Sequence, residues 1–348
     1  MAQAYLHSLG ITAWQDAIVG GFYDSFDLYR SFAESGELTA RVVGAQWWER
    51  HQGAEQIEGF EERRRLADSG RFRATSVKIM QDGIVENFTA GTLRPYLDAD
   101  GNPTEELGLS QVDPEALKSY VTELDARGFQ VHFHTIGERA VREALDAIEA
   151  ARDANGPNDH RHHLAHIQIV HPDDVPRFRR LDVVANGQPL WACLESQMVE
   201  LTIPFIGPER TSWQYPFGSL VRAGATLAFG SDWSVSSPDP MKAMHVAVNR
   251  SVRADEVDYT GGDHRAVDEV FLPEERIDLE TAIAAFTMGS AFVNHLDDVT
   301  GSIEVGKLAD LAVVDRDLFA HPRGEIATAR VDATFVDGVA VYERIGAA

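Results

Sequence analysis

The chain has 348 residues, 44% apolar and 25% charged, enough for one large α/β barrel with a small appendage or for two ordinary globular domains. Its 31 Lys and Arg against 55 Asp and Glu leave a formal charge of -24, which repels nucleic acid and anionic membranes. A single cysteine, Cys193, excludes an intrachain disulfide and any cysteine-built metal site.

The start, MAQAYLHSLGITAW, has neither the charged end nor the apolar core of a signal peptide. No apolar run approaches the ~20 residues of a membrane span, so the cytoplasm is the expected address. Residues 2–9 read as a short helix stopped by Gly10. Strand-like runs then follow at 11–15, 41–47, 76–80, 130–134, 162–168, 183–188 and 226–230. Between several of them lie amphipathic stretches at 54–66, 114–126, 138–151, 172–180 and 217–223. Pro114 and Pro172 suit the first turn of a helix, where a missing N–H costs nothing. Strands alternating with helices predict βαβ units and a parallel sheet. The seven strands at 11–230 are one short of a closed (β/α)8 TIM-type barrel. The helix-like beginning then reads as the tail of a βα unit whose strand lies upstream of Met1. An open, doubly wound sheet is the alternative. After a helix at 279–292 the segments 301–314 and 333–343 read as strands, with an Asp-Gly turn at 337–338. The chain therefore divides into a barrel unit, 1–297, and a small β-module, 298–348.

In a barrel, polar residues at the C-terminal ends of strands form the active face. Here these are Asp16, Lys78, His132, His134, His166, Gln168, Gln188 and Asp232. Lys78, in SVKIM, is one of only four lysines. On the inner face of a strand its ammonium would be costly, and it would lower its pKa, pair with a carboxylate, or form a carbamate with CO₂. The alternative is that it points to the helix layer and snorkels outward. His132 and His134 are two apart on one strand and share a face. His162 and His166 fall on one face of the next strand, with His163 on the other; His160 and His163 read as surface or structural. Asp232, in FGSDW, sits where a carboxylate can hold a metal or take a proton, although GSD is also a turn and helix-cap sequence. Nitrogen and oxygen donors without sulfur suit Zn²⁺ or a similar divalent ion. There is no GxSxG, P-loop, HExxH or GxGxxG signature.

The ordered segments KIMQDG, HFHTIGERA, RHHLAHIQIVHPDDVPRF, FGSDWSV and GSIEVGKLADLAVVDRD resemble the amidohydrolase superfamily, in its N-substituted formamide deformylase-like branch. The resemblance implies a (β/α)8 barrel joined to a β-sandwich, of which the C-terminal tail is part. It implies that Lys78 is the carboxylated metal bridge, that His134 and His166 are metal ligands, and that Asp232 binds metal and shuttles a proton. His132 has no such counterpart and is expected in the barrel core below His134. The family's first-strand H-x-H pair has no match, so the expected fold is a barrel lacking its first strand.

The expected chemistry is hydrolysis of a carbon–nitrogen bond in an amide-like small molecule, by attack of hydroxide bound to one or two divalent ions, Zn²⁺ first among them. Asp232 would accept the water's proton and pass it to the leaving amine. Trp191 and Trp233 are candidates to line the substrate pocket; Tyr96 and Arg139 are further candidates with no supporting pattern. The rival reading is an N-terminally truncated, inactive barrel or a non-catalytic binding protein. A flavin or nicotinamide enzyme lacks its phosphate-binding glycines. Open barrel edges would also favour aggregation or a homo-oligomer.

Overall fold

The computed structural model describes residues 1–21, 24–67, 70–252 and 269–345. Seven parallel strands pair in chain order: β1 (Ala13–Val19), β2 (Arg41–Trp47), β3 (Phe72–Met80), β4 (Gln130–Thr135), β5 (His163–His166), β6 (Val184–Gly187) and β7 (Leu227–Phe229). The sheet is curled. Gln15 on β1 hydrogen-bonds to His132 on β4 and His163 on β5, strands that a flat sheet would hold at least ~14 Å away. Among the described residues β1 and β7 are its two edges.

All six residues of β4 are buried, because both faces of the strand are covered. Val131 and Phe133 point outward, and with Val77, Ile79 and Leu164 they pack on Leu117, Val121 and Leu124 of the helix Pro114–Ala126 and on Val141, Leu145 and Ile148 of the helix Glu138–Asn155. The alternate residues Gln130, His132 and His134 face the interior. Asp113 caps the first helix, its carboxylate accepting from the N–H of Glu115 and Ala116, with Pro114 at the first turn as its sequence indicates.

A second, antiparallel sheet joins β8 (Leu311–Val314), β9 (Val331–Val336) and β10 (Val339–Glu343) in the order β10-β9-β8. Asp337 and Gly338 both have positive φ, 52° and 75°, as a two-residue type I′ hairpin turn requires. The expected strand at 301–314 is only its last four residues, Leu311–Val314. Gly301 and Gly306 have φ of 89° and 102°, which breaks the extended backbone before it. The helix Ala2–Ser8 lies against this sheet, with the Thr334 hydroxyl donating to the carbonyl of His7. Arg41 of β2 ties the two sheets through a two-pronged ion pair to Asp310 (2.7 and 3.2 Å) and a further pair to Asp337. No described helix is long and apolar enough to cross a membrane.

Candidate functional site

β3 and β4 place Lys78 opposite His132 in register, so both side chains fall on the inner face. Lys78 is 4% exposed, and its Nζ donates to His132 Nε2 at 2.9 Å. It lies in the interior and does not snorkel toward the helices. Burial pushes its pKa down to about 8, with the Asp232 carboxylate partly opposing. One turn of the pleat further along β4, the His134 ring stands 4.5 Å from the ring of His166. His166 reaches that position by leaving the pleat: its φ is 75° and that of Ile167 is 43°. Burial holds His132 and His166 neutral, their pKa values far below the usual imidazole value. The nearby charge of Lys78 adds to this for His132, and His134 and then Lys78 for His166.

The loop after β3 supplies a residue whose role the sequence did not reveal. Asp82 is fully buried and accepts from His134 Nδ1 (3.1 Å) and from the backbone N–H of Ile136 (3.0 Å), Gly137 (2.8 Å) and Gly91 (2.9 Å). One carboxylate thus joins the β3 loop, the exit of β4 and the turn at Gly91. It also makes His134 Nδ1 the protonated nitrogen and leaves Nε2 as a bare lone pair, the form a metal ion needs. Gly137 is required here, because a Cβ would lie 2.1 Å from the carbonyl oxygen of Gly91. The available signal was the QDG sequence after a strand, which reads equally well as a simple turn.

Lys78, His134 and His166 therefore share one interior. Asp232 does not join them closely: it is exposed, in a turn just past β7 with φ 55°. Among the described residues no three His, Cys, Asp or Glu side chains stand together so as to hold a metal ion. In donor type the pair His134 and His166 fits a divalent transition metal. Nδ1 of His166 is buried without a hydrogen-bond partner. Trp191 stacks on His166 (5.7 Å, 21° between planes) and so lines the site. Trp233 is 43% exposed and meets the ring of Tyr5 instead.

Two histidine expectations are corrected. His162 precedes β5, points away from His166, and bridges Asp125 (2.9 Å) and the N–H of Val131 (3.0 Å) behind the strand. His163, read as surface or structural and placed on the face opposite His166, is structural and shares the interior with it, fully buried with its ring 4.2 Å from that of His132. His162 and Leu164 keep the alternation and face outward, with His163 inward, and it is His166 that leaves the pattern to join the inner face, through its positive φ. His160 is structural, as expected, with Nε2 against the carbonyl of Asp125. Tyr96 is a buried packing residue bonded to the carbonyl of Ala90, and Arg139 binds the carbonyl of Leu107. Asp16 accepts from Tyr29, and Gln168 donates to Gln214, both apart from the histidines.

A curled parallel α/β sheet with a lysine and histidines on its inner face is a barrel-type architecture. The chain belongs to the amidohydrolase family, whose model matches residues 1–342. It is 32% identical over 267 residues to the protein LONG AFTER FAR-RED 3 of Arabidopsis thaliana, covering 76% of this chain and 42% of that one. It is 28% identical over 244 residues to the N-substituted formamide deformylase of Arthrobacter pascens, covering 66% and 40%. A crystal structure of an uncharacterized metal-dependent hydrolase from Pyrococcus furiosus superposes with a TM-score of 0.68 at 25% identity, over 88% of this chain and 56% of that one. The chain spans less than half the length of these two curated relatives.

Proposed function

We propose that this chain carries the lysine- and histidine-lined interior of a metal-dependent hydrolase that cleaves carbon–nitrogen bonds in small, amide-like substrates. The observation that supports this best is a buried Lys78 in the same interior as the His134 and His166 rings, 4.5 Å apart. His134 Nε2, His166 and a carboxylated Lys78 would hold one or two divalent ions, Zn²⁺ being the best match to such donors. When bound, such an ion polarises a carbonyl and brings the pKa of a water ligand to about 7. Asp82 keeps His134 in the right tautomer. Trp191 offers a flat apolar wall beside His166, against which the substrate's acyl or amine substituent would lie. Asp232, turned inward from its exposed loop, would accept the water's proton and deliver it to the leaving nitrogen. The fold in this reading is a (β/α)8 barrel with β1 and β7 flanking the position of one further strand, and the three-stranded sheet is part of a β-sandwich. A cytoplasmic setting, and association through the open sheet edges, belong to the same proposal.

A second reading, a non-catalytic barrel, is favoured by the absence of a three-donor His or carboxylate set among the described residues. One experiment separates them. The protein is dialysed against ZnCl₂, its metal content is measured, and a panel of formamides, N-acyl amines and cyclic amides is assayed for amine release. The hydrolase reading requires at least one bound zinc per chain and a turnover that is lost in His134→Ala, His166→Ala and Asp232→Asn. A metal-free, inert protein establishes the non-catalytic reading.

A further inference from the structure

Beneath the metal-type histidines lies a hydrogen-bond network whose direction can be fixed from its outer ends. The side-chain amide N–H groups of Gln130 donate to the backbone carbonyls of Arg161 and Val293, and that of Asn294 donates to the carbonyl of Ser290. Backbone carbonyls only accept, so Gln130 Oε1 and Asn294 Oδ1 must be the ends that face inward. Both meet Gln15 Nε2, at 3.3 and 3.1 Å, which can only donate to them. Gln15 Oε1 is then the atom presented to the histidines. It accepts hydrogen bonds from His132 Nδ1–H at 2.7 Å and from His163 Nε2–H at 3.2 Å. A neutral imidazole protonated at Nδ1 has a bare Nε2, and that is the atom 2.9 Å from Lys78 Nζ. Two independent backbone anchors thus set the tautomer of a histidine three strands from β1.

We propose that His132, held as the Nδ1–H tautomer by Gln15, is the positioning residue for Lys78, directing one N–H of the lysine downward and leaving its lone pair free for CO₂. The argument rests on the reading of Lys78 as a carboxylated metal bridge. In the other tautomer, Nε2–H would donate to the lone pair of the neutral amine and block it. In the Nδ1–H tautomer, the Nζ lone pair forms the N–C bond to CO₂ while one C=O electron pair moves to oxygen. One proton leaves Nζ for solvent. The carbamate keeps a single N–H, and His132 Nε2 is the acceptor already in place for it. The pair His132 and His134 therefore share a tautomer but serve different ends. Asp82 frees Nε2 of His134 toward the mouth, and Gln15 frees Nε2 of His132 toward Lys78.

Two measurements on the full chain test this without turnover. A long-range ¹H–¹⁵N correlation of ¹⁵N-histidine protein, with His132→Phe used for assignment, is expected to show His132 protonated at Nδ1, and Gln15→Met is expected to remove that preference. A wild-type His132 protonated at Nε2 overturns the proposal. With ¹³C-bicarbonate and ZnCl₂, a carbamate carbon signal is expected that vanishes in Lys78→Arg and falls at least fivefold in Gln15→Met and His132→Phe. His132→Gln, whose amide oxygen takes the place of Nε2, is expected to keep at least half of it. Equal carbamate in wild type, folded Gln15→Met and folded His132→Phe overturns the proposal, as does a zinc-loaded wild type with no carbamate on Lys78. Failure of the amide panel, by contrast, bears on the hydrolase reading alone.

Discussion

Asp82 allows stability and metal affinity to be separated by two substitutions at one position. Asp82→Ala leaves the N–H groups of Gly91, Ile136 and Gly137 without their acceptor inside the protein. At about 1–3 kcal/mol for each orphaned buried donor, the loss is roughly 3–9 kcal/mol, a large share of a domain's ordinary stability. Asp82→Asn behaves differently. Placing its NH₂ at the Oδ2 position would orphan Gly91 and Gly137, so the cheaper arrangement puts NH₂ at the Oδ1 position, facing His134 Nδ1. The backbone N–H of Ile136 then keeps its bond to the other oxygen, at 3.2 Å, and the cost falls to about 1–2 kcal/mol. That NH₂ donates to Nδ1 and so forces His134 into the Nε2–H tautomer, which cannot bind a metal through Nε2. Urea unfolding of the apo proteins and calorimetric zinc titration read the two effects. The expected outcome is an unstable Ala variant, and a folded Asn variant that binds zinc 10–100-fold more weakly. An Asn variant with wild-type zinc affinity would refute the assignment of Asp82 as the group that orients His134.

Gly137→Ala should destabilise by more than about 2 kcal/mol and loosen the 81–113 loop, seen as faster amide exchange at Gly91, because its Cβ would press on the Gly91 carbonyl. Arg41→Met should cost about 3–5 kcal/mol, since it leaves the fully buried Asp310 carboxylate without its partner. Hydrogen exchange should locate that loss in β8–β10, with zinc binding unchanged. Acid should unfold the apo protein early. Burial lowers the pKa of His132, His162, His163 and His166, in the case of His163 to about 3, below their unfolded values near 6.5. The unfolded chain then binds more protons than the folded one, so stability is full above pH 6.5 and is lost as pH falls below it, by roughly 1.4 kcal/mol per pH unit for each imidazole. Circular dichroism showing an intact fold at pH 4 would contradict this.

The parallel βαβ order and the helices at 114–126 and from 138 onward were legible from their hydrophobic period, to which Pro114 adds a start signal for the first. Lys78 was legible by rarity and His134 by its place at a strand exit. What periodicity missed lay where backbone leaves the regular pattern. His166 points inward because of positive φ, which alternation cannot anticipate, and the same local departure exchanged the roles of His162 and His163. Helices at Phe26–Ser35, Ile203–Thr211 and Pro240–Asn249 were not foreseen. The last has a legible start at Asp239-Pro240, whereas Ile203–Thr211 is interrupted by non-helical Gly207. Gln15 and Asp82 act through hydrogen bonds to residues far along the chain, and no spacing encodes those.

The account stands on Lys78, His134 and His166 enclosing a common metal position. Anomalous diffraction from crystals soaked in zinc, recorded on both sides of the zinc absorption edge, is the most direct test. The account predicts a peak within coordination distance of His134 Nε2 and a His166 nitrogen, with added density on Lys78 Nζ. A soaked crystal whose zinc lies only on surface carboxylates, with this interior free of anomalous density, would contradict it.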